Sequence, residues 1–390
     1  MADSSSQFSD NLAQQAASAL LSGELVVLPT ETLYGVFASA TSPAGLAKLR
    51  ALRTAAGGSA DATFTWHAAS IESAQIYCQD HEVHEHVAAK LLPGPVRLLI
   101  EVSAEKFEKQ TTAIGLSDLP AHVFDGSIDG DAKTRVVSIR VPSDPMFHEV
   151  AARCKVLVGE RVGLIGLGDG KSLPADAEAI ARKAGVKLVV NTGPTQYGSP
   201  SSTVRLTRTG WYKIESTGAW SERTLRAKFE TQILFVCTGN TCRSPMAEAI
   251  ARHYLAKPGA TKRPTRVASA GVATSDGMAM TPEAVEALEM SRIDAGRHRS
   301  RMLTREMVED ATVIYAMTRS HAHQAISLVP AAKDKIQLLD PSGRDITDPI
   351  GGPLATYVQT AEAIAGFIRT RLTADGTLTL PRKKGILEPG

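Results

Sequence analysis

Apolar residues in the second half of the chain cluster in short segments separated by stretches with helical spacing. Residues 233–236 are wholly apolar and lead through a glycine-containing loop into a helix-spaced segment at 244–255. The pattern then repeats. Residues 266–270 precede a helix opening near Thr281-Pro282-Glu283, 312–316 precede one around Ser320, and 335–339 lead to a long amphipathic segment at 354–372. Short apolar runs suit strands buried on both faces. Pro282 behind Thr281 suits a first helical residue behind a threonine cap. Alternation of this kind predicts a parallel, doubly wound sheet, in which ligands bind beyond the carboxyl ends of the strands.

The first half alternates less cleanly. Strands are expected at 25–28, 96–102, 136–141 and 187–190, and helices at 11–22, 44–53 and 175–184. A polar stretch at 216–230, containing Gly218 and little strand character, separates two domains expected at 8–217 and 232–374. The first ten residues and the last ten, with Arg382-Lys383-Lys384, read as flexible ends. A length of 390 residues accommodates two domains at roughly 100–200 residues each, and each half can bury its own core.

Composition narrows the function classes. Apolar content of 43% and charged content of 22% fit a soluble globular protein. A net charge of +2 supplies no strong field toward nucleic acid or an anionic membrane. Aromatic content of 5% leaves no series suited to stacking single strands. No apolar run has the length of a membrane span, and the polar, acidic start lacks the basic-then-apolar order of a secretory signal. Cys78, Cys154, Cys237 and Cys242 are too few for a disulfide framework and form no paired zinc knuckles. A reducing, cytoplasmic compartment without membrane partners is the expectation, and it would keep a catalytic thiol active.

The strongest chemistry lies after the first run of the second half: Val236-Cys237-Thr238-Gly239-Asn240-Thr241-Cys242-Arg243-Ser244-Pro245. Five residues between a cysteine and an arginine close a tight loop whose backbone N–H groups can cradle a phosphate. Pro245 fits the following helix start, whose partial positive charge adds to anion binding. Arg243 offers a planar fork for two phosphate oxygens, and the same positive surroundings should make Cys237 a thiolate at neutral pH.

With that loop, Ser269-Ala270-Gly271, His298-Arg299-Ser300-Arg301 and Asp348-Pro349, in this order, the region resembles the low-molecular-weight protein tyrosine phosphatases. The resemblance implies a flavodoxin-like fold, with Cys237 as nucleophile, Arg243 as phosphate binder and Asp348 as general acid. It implies no cofactor and no metal for this domain, and phosphorylated proteins as its partners. Thr238, Gly239, Asn240, Thr241, Cys242 and Ser244 would line the phosphate. Asn240, Ser244 and Ser269 would hold the loop open and steady the thiolate. Thr241, where the tyrosine-specific members usually carry an aliphatic residue, and Ile350-Gly351-Gly352 after Asp348-Pro349, where they usually carry aromatics, are similar to the protein arginine phosphatase branch. Phosphoarginine and phosphotyrosine both remain open as substrates. Cys242, close to Cys237, could pair with it in a reversible disulfide that guards the nucleophile.

The first half resembles the threonylcarbamoyl-AMP synthases, or YrdC-like α/β domains. The likeness rests on residues 23–35, Pro93-Gly94-Pro95-Val96, Ile139-Arg140-Val141-Pro142 and Pro200-Ser201-Ser202-Thr203-Val204. Such enzymes join threonine, bicarbonate and ATP into an adenylate used in tRNA modification. Where that family has a Lys-x-Arg pair, this chain has Arg53-Thr54-Ala55, and no Ser-Ala-Asn segment occurs in 158–170. An ammonium and a guanidinium are not interchangeable at such a site. The expectation is a retained fold with impaired synthesis, in which ATP, another nucleotide or an RNA could still bind.

The glycines of 158–170 suit a hairpin better than a nucleotide loop. His81-Glu82-Val83-His84-Glu85-His86 has metal-like composition but reads better as a solvated helical face. The basic run from Arg297 to Arg305 reads as a lead into a helix. Two rival functions stand beside the phosphatase: a threonylcarbamoyl-AMP synthase with a silent phosphatase passenger, and a phosphate-dependent binding module in both halves.

Overall fold

The computed structural model describes residues 2–120, 123–128, 131–161, 174–257 and 259–378. The chain divides into two compact units, Met1–Lys228 and Phe229–Gly390.

The first unit opens with α1 (Ala2–Leu21), so the expected flexible start is helical from Ala2. It continues through β1 (Val26–Leu28), β2 (Gly35–Ser39), α2 (Pro43–Ala55), β3 (Thr65–His67), α3 (Glu72–Gln75), α4 (Glu82–Leu91), β4 (Val96–Ser103) and α5 (Ala104–Ala113). Then come β5 (Asp125–Ile128), β6 (Asp131–Arg140), α6 (Pro145–Arg153), β7 (Leu157–Arg161), α7 (Pro174–Ala184), β8 (Leu188–Val189), β9 (Ser202–Leu206) and β10 (Tyr212–Ser216). Among the described residues these strands form one mixed sheet in the order β10-β9-β4-β6-β3-β7-β2-β1-β8, with β5 on β6. In β4, Val96, Leu98, Ile100 and Val102 are buried while the residues between them are partly exposed. That period of two is what a sheet with one face on the core imposes. At α2, Ser42 accepts from Gly45 N at 3.3 Å, ahead of Pro43 at the helix start. Residues 162–170 of the glycine-rich stretch lie outside the described residues, while 158–161 belong to β7.

The expected polar break at 216–230 contains a helix, α8 (Glu222–Phe229). The second unit then runs β11 (Thr231–Cys237), α9 (Arg243–Leu255), β12 (Thr265–Gly271), α10 (Pro282–Met290), α11 (Arg305–Asp310), β13 (Val313–Ala316), α12 (Arg319–Leu328), a 3₁₀ turn (Pro330–Lys335), β14 (Ile336–Leu338) and α13 (Leu354–Ala374). The basic run therefore does enter a helix, α11. The sheet is fully parallel in the order β12-β11-β13-β14. Its two faces carry separate cores. Ile233, Phe235 and Cys237 pack with residues of α9, α10 and α13. Leu234 and Val236 pack with Leu303, Val308, Ala325 and Val329. A strand apolar on both faces reads as an unbroken run, which is the pattern 233–236 displays. Thr281 stands at the start of α10 but makes no side-chain cap. Its hydroxyl lies 3.4 Å from Cys242 Sγ instead. Residues 379–390, expected as a flexible end, lie outside the described residues. No helix among the described residues is long and apolar enough to cross a membrane.

Candidate functional site

Strand β11 pairs with β12 on one side and β13 on the other. The chain thus reverses direction of winding at β11, and the loop leaving its carboxyl end sits in the crevice where such sheets bind ligands. Residues 238–242 form that loop, and α9 begins at Arg243.

Two backbone features shape the loop. Asn240 has φ +54°, a left-handed conformation that asparagine tolerates better than most residues. Opposite it, a Cβ on Gly271 would lie 2.6 Å from the Thr238 carbonyl oxygen. Glycine is required there because β12 passes so close beneath the loop.

A buried polar network holds Asn240. Its Nδ2 donates to Ser244 Oγ and Ser269 Oγ, both at 2.9 Å, and its Oδ1 accepts from Arg301 N at 2.9 Å. Its carbonyl lies 2.8 Å from His298 Nε2. Ser269 Oγ in turn donates to Glu248 Oε2 at 2.6 Å, and Thr274 Oγ1 donates to the Gly239 carbonyl at 2.7 Å. The residues expected as loop support are therefore bonded to one another. Glu248 joins them unforeseen, although it stands one helical turn after Ser244 and so on the same face of α9. Arg297, Arg299 and Arg301 of the basic run line an open groove beside Glu248 and Arg252.

Cys237 is 2% exposed. Its Sγ lies 2.9 Å from Ser244 Oγ and accepts from Asn240 N at 3.3 Å. Burial pushes this thiol above its ordinary value, while the Ser244 and Asn240 hydrogen bonds and the Arg243 charge pull it down. The expectation of a lowered thiol is corrected on this point: desolvation of the charged form outweighs its donors.

Arg243 is buried. Its Nη1 donates to the Ile346 carbonyl at 2.9 Å, and its Nη2 donates to the Asp348 carboxylate and, at 3.5 Å, to Thr238 Oγ1. The Asp348 side chain is 38% exposed, and Ile350 two residues later is 64% exposed. Thr241 is partly exposed, its Oγ1 3.7 Å from Cys242 Sγ. The fold thus brings the nucleophile candidate, an arginine fork and a carboxylic acid together from β11, α9 and the loop before α13. One buried neighbour gives no signal in the sequence. His321, on α12, lies 2.8 Å from Thr238 Oγ1 through Nε2 and 2.9 Å from Thr318 Oγ1 through Nδ1. Nothing in its local pattern announces the contact, which depends on the packing of α12 beside β11.

The first unit holds a separate cavity of about 330 Å³, lined in part by Thr30, Tyr34, Arg53, His67, Arg97 and Arg140. Arg140 Nη2 donates to Glu31 Oε1 and Thr32 Oγ1, both at 2.8 Å. Arg53, at the cavity wall, is held by contacts within the unit. Its guanidinium carbon lies 3.8 Å from the centroid of the Phe64 ring, and it donates to the Ala62 carbonyl and, at 3.4 Å, to the Thr63 carbonyl. His67 meets the Thr65 carbonyl through Nδ1 at 3.0 Å, and burial holds it down at about 3. In the histidine-rich segment, His81 precedes α4, and the Nε2 atoms of His81 and His84 meet the carbonyls of Arg208 and Trp211. No group of three or more potential metal ligands occurs among the described residues.

Comparison with known proteins divides the chain in the same way. Residues 232–374 match the family model described as low molecular weight phosphotyrosine protein phosphatase. Residues 18–215 match the Sua5/YciO/YrdC model, described as telomere recombination. The protein-arginine-phosphatase of Bacillus subtilis (strain 168) is 40% identical over 141 residues, covering 35% of this chain and 91% of its own length. The low molecular weight protein-tyrosine-phosphatase PtpB of Staphylococcus haemolyticus (strain JCSC1435) is 33% identical over 139 residues, covering 35% of this chain and 94% of its own. The solved YwlE arginine phosphatase from Geobacillus stearothermophilus aligns at 36% identity and a TM-score of 0.34, covering 37% of this chain and 94% of its own.

Proposed function

The chain belongs to the low molecular weight phosphotyrosine protein phosphatase family through residues 232–374 and to the Sua5/YciO/YrdC family through residues 18–215, and on that premise we propose that its carboxy-terminal unit removes phosphoryl groups from protein side chains through a cysteinyl-phosphate. The observation that carries this is the convergence of Cys237, Arg243 and Asp348 at one loop, with Arg243 bonded to Asp348 and the Cys237 sulfur held by Ser244 and Asn240.

The chemistry follows from the placement. The Cys237 thiolate attacks phosphorus and the bond from phosphorus to the leaving atom breaks. Arg243 and the loop N–H groups hold the phosphoryl oxygens as charge develops on them. Asp348 gives its proton to the departing oxygen or nitrogen. In the second step the Asp348 carboxylate takes a proton from water, the oxygen of that water bonds phosphorus, and the S–P bond breaks to restore the thiolate and release orthophosphate.

The substrate reading within this function is phosphoarginine. Thr241 at the loop, Ile350 and glycines after Asp348-Pro349, and 40% identity to a protein-arginine-phosphatase support it. The amino-terminal unit is read as a YrdC-like fold that has lost synthase activity. The support is Arg53, whose guanidinium, at the cavity wall, is already engaged by Phe64 and two carbonyls.

The test is phosphate release by the full chain from matched phosphoarginine and phosphotyrosine proteins, with Cys237→Ser as control. Release lost in the variant supports the mechanism, and its restriction to phosphoarginine supports the substrate. Release from neither substrate overturns the reading and turns attention to the amino-terminal cavity.

A further inference from the structure

His321 is 4% exposed and lies in the first turn of α12, under the exposed Thr238 that follows the nucleophile. Its two ring nitrogens meet two threonine hydroxyls, Thr238 at 2.8 Å and Thr318 at 2.9 Å. Burial and the nearby Arg243 charge hold the ring neutral, with its proton affinity lowered to about 4. A neutral imidazole has one N–H and one lone pair. One threonine must therefore donate to it and the other must accept.

Arg243 decides which. Its Nη2 approaches Thr238 Oγ1 at 3.5 Å, so the Thr238 oxygen is an acceptor toward the guanidinium and its proton points away. The order with every negative end toward Arg243 is then Thr238 O–H donating to His321 Nε2, and His321 Nδ1–H donating to Thr318 Oγ1. The reverse order would aim an imidazole N–H toward the buried guanidinium, whose charge acts on this ring more strongly than the opposing charge of either Asp348 or Asp345. Thr318 Oγ1 already accepts from the backbone N–H of His321 at 3.4 Å, which suits its acceptor role.

Hydroxyl bookkeeping then reaches the substrate. Thr238 has one proton and two lone pairs. His321 takes the proton, Arg243 takes one lone pair, and the second lone pair stays on the hydroxyl of an exposed residue next in sequence to the nucleophile. We propose that His321 is a specificity-determining positioning residue, which fixes Thr238 as an acceptor and so favours a leaving group that carries N–H donors, a phosphoguanidine, over an aryl phosphate ester. This rests on the phosphatase reading above. A phosphoguanidine keeps N–H groups on the nitrogens next to the scissile bond. An aryl ester presents only oxygen there, an acceptor facing an acceptor. A site built to pair a substrate N–H discriminates strongly against a substrate lacking it.

The experiment compares kcat/KM for a phosphoarginine and a phosphotyrosine peptide of the same flanking sequence, in the full-length protein and in Thr238→Val, His321→Ala, the double variant and His321→Gln. The ratio of phosphoarginine to phosphotyrosine should fall roughly tenfold in Thr238→Val and in His321→Ala, the worth of one hydrogen bond to a charged group. The double variant should fall no further than Thr238→Val, since the two act through one hydroxyl. In His321→Gln the side-chain carbonyl can accept from Thr238, and the ratio should recover. Equal losses on both substrates, additive losses, or a parent protein that prefers phosphotyrosine would overturn the proposal while leaving the phosphatase reading in place. No turnover of either substrate by the parent protein would overturn both.

Discussion

Arg243 donates to the carboxylate of Asp348, so the residue proposed to grip the phosphoryl group and the residue proposed to protonate the leaving group are bonded to each other. A phosphate entering the loop competes with Asp348 for the same fork. Replacing the aspartate should therefore have two opposite effects. Asp348→Ala should lower kcat by about 10²–10⁴ through loss of the acid. It should also tighten competitive inhibition by orthophosphate, because Arg243 loses an internal partner. Steady-state inhibition measures both, and an unchanged inhibition constant would show that the pair does not guard the loop.

The pH dependence of the nucleophile follows from the balance at Cys237. Burial raises the thiol, and the Ser244 hydroxyl is the foremost group pulling it down. Only the thiolate attacks, so the acid limb of kcat/KM belongs at higher pH than for an ordinary thiol. Ser244→Ala removes a stabilising donor and should move that limb further toward high pH. Iodoacetamide alkylation of Cys237 should slow several-fold at neutral pH in the same variant. A limb that moves to lower pH would mean that Ser244 does not bond the thiolate.

Close approach at Gly271 gives a test of the loop's architecture. A Cβ there meets the Thr238 carbonyl at 2.6 Å, a backbone atom that cannot turn aside. Gly271→Ala should destabilise the carboxy-terminal unit by about 1–3 kcal/mol, as overpacking does, and abolish most phosphatase activity. Gly366 on α13 is the matched control, since a Cβ added there meets no neighbouring atom within 4 Å. Gly366→Ala should stabilise by about 0.5–1 kcal/mol through helix propensity. Denaturant titration distinguishes them.

How much of this was legible depends on where each signal is stored. Periodicity is local, so β11, β12, β13, β14 and the helices between them could be read from the apolar run at 233–236 and the mixed strand-like segments at 266–270, 312–316 and 335–339. The Cys237–Arg243 loop was legible because all its parts lie within one turn of chain. Glu248 was within reach, since its distance from Ser244 is one helical turn. His321 was not, because its partner Thr238 lies 83 positions away in sequence and the contact exists only once α12 packs beside β11. The direction of the Cys237 shift was misjudged for a related reason: positive neighbours can be counted along the loop, but burial comes from the whole fold. At the amino terminus the helix expected at 11–22 is present, its Ala13, Ala16, Ala17 and Leu20 recurring at helical spacing and buried with Val26, Leu28 and Phe147, whereas the polar residues before it, expected as a loose end, extend the same helix back to Ala2.

The amino-terminal unit yields a prediction that separates stability from ligand binding. Arg53 is 5% exposed, lies over Phe64, and donates to the carbonyls of Ala62 and Thr63. Burial and Arg50 lower its pKa to about 10, still far above neutrality, so it remains a cation held by an aromatic face and two backbone oxygens. Such contacts tie α2 to the loop before β3. Arg53→Ala should therefore destabilise this unit by about 1–3 kcal/mol, since it leaves two carbonyls without their donor and removes a cation from the ring. If the guanidinium is structural, calorimetric affinity for ATP should be the same in the variant as in the parent, and threonine-dependent pyrophosphate release should be absent from both. Loss of ATP binding in the variant with its thermal midpoint unchanged would make Arg53 a ligand-binding residue of the cavity it lines, and pyrophosphate release by the parent would restore synthase activity to the amino-terminal unit.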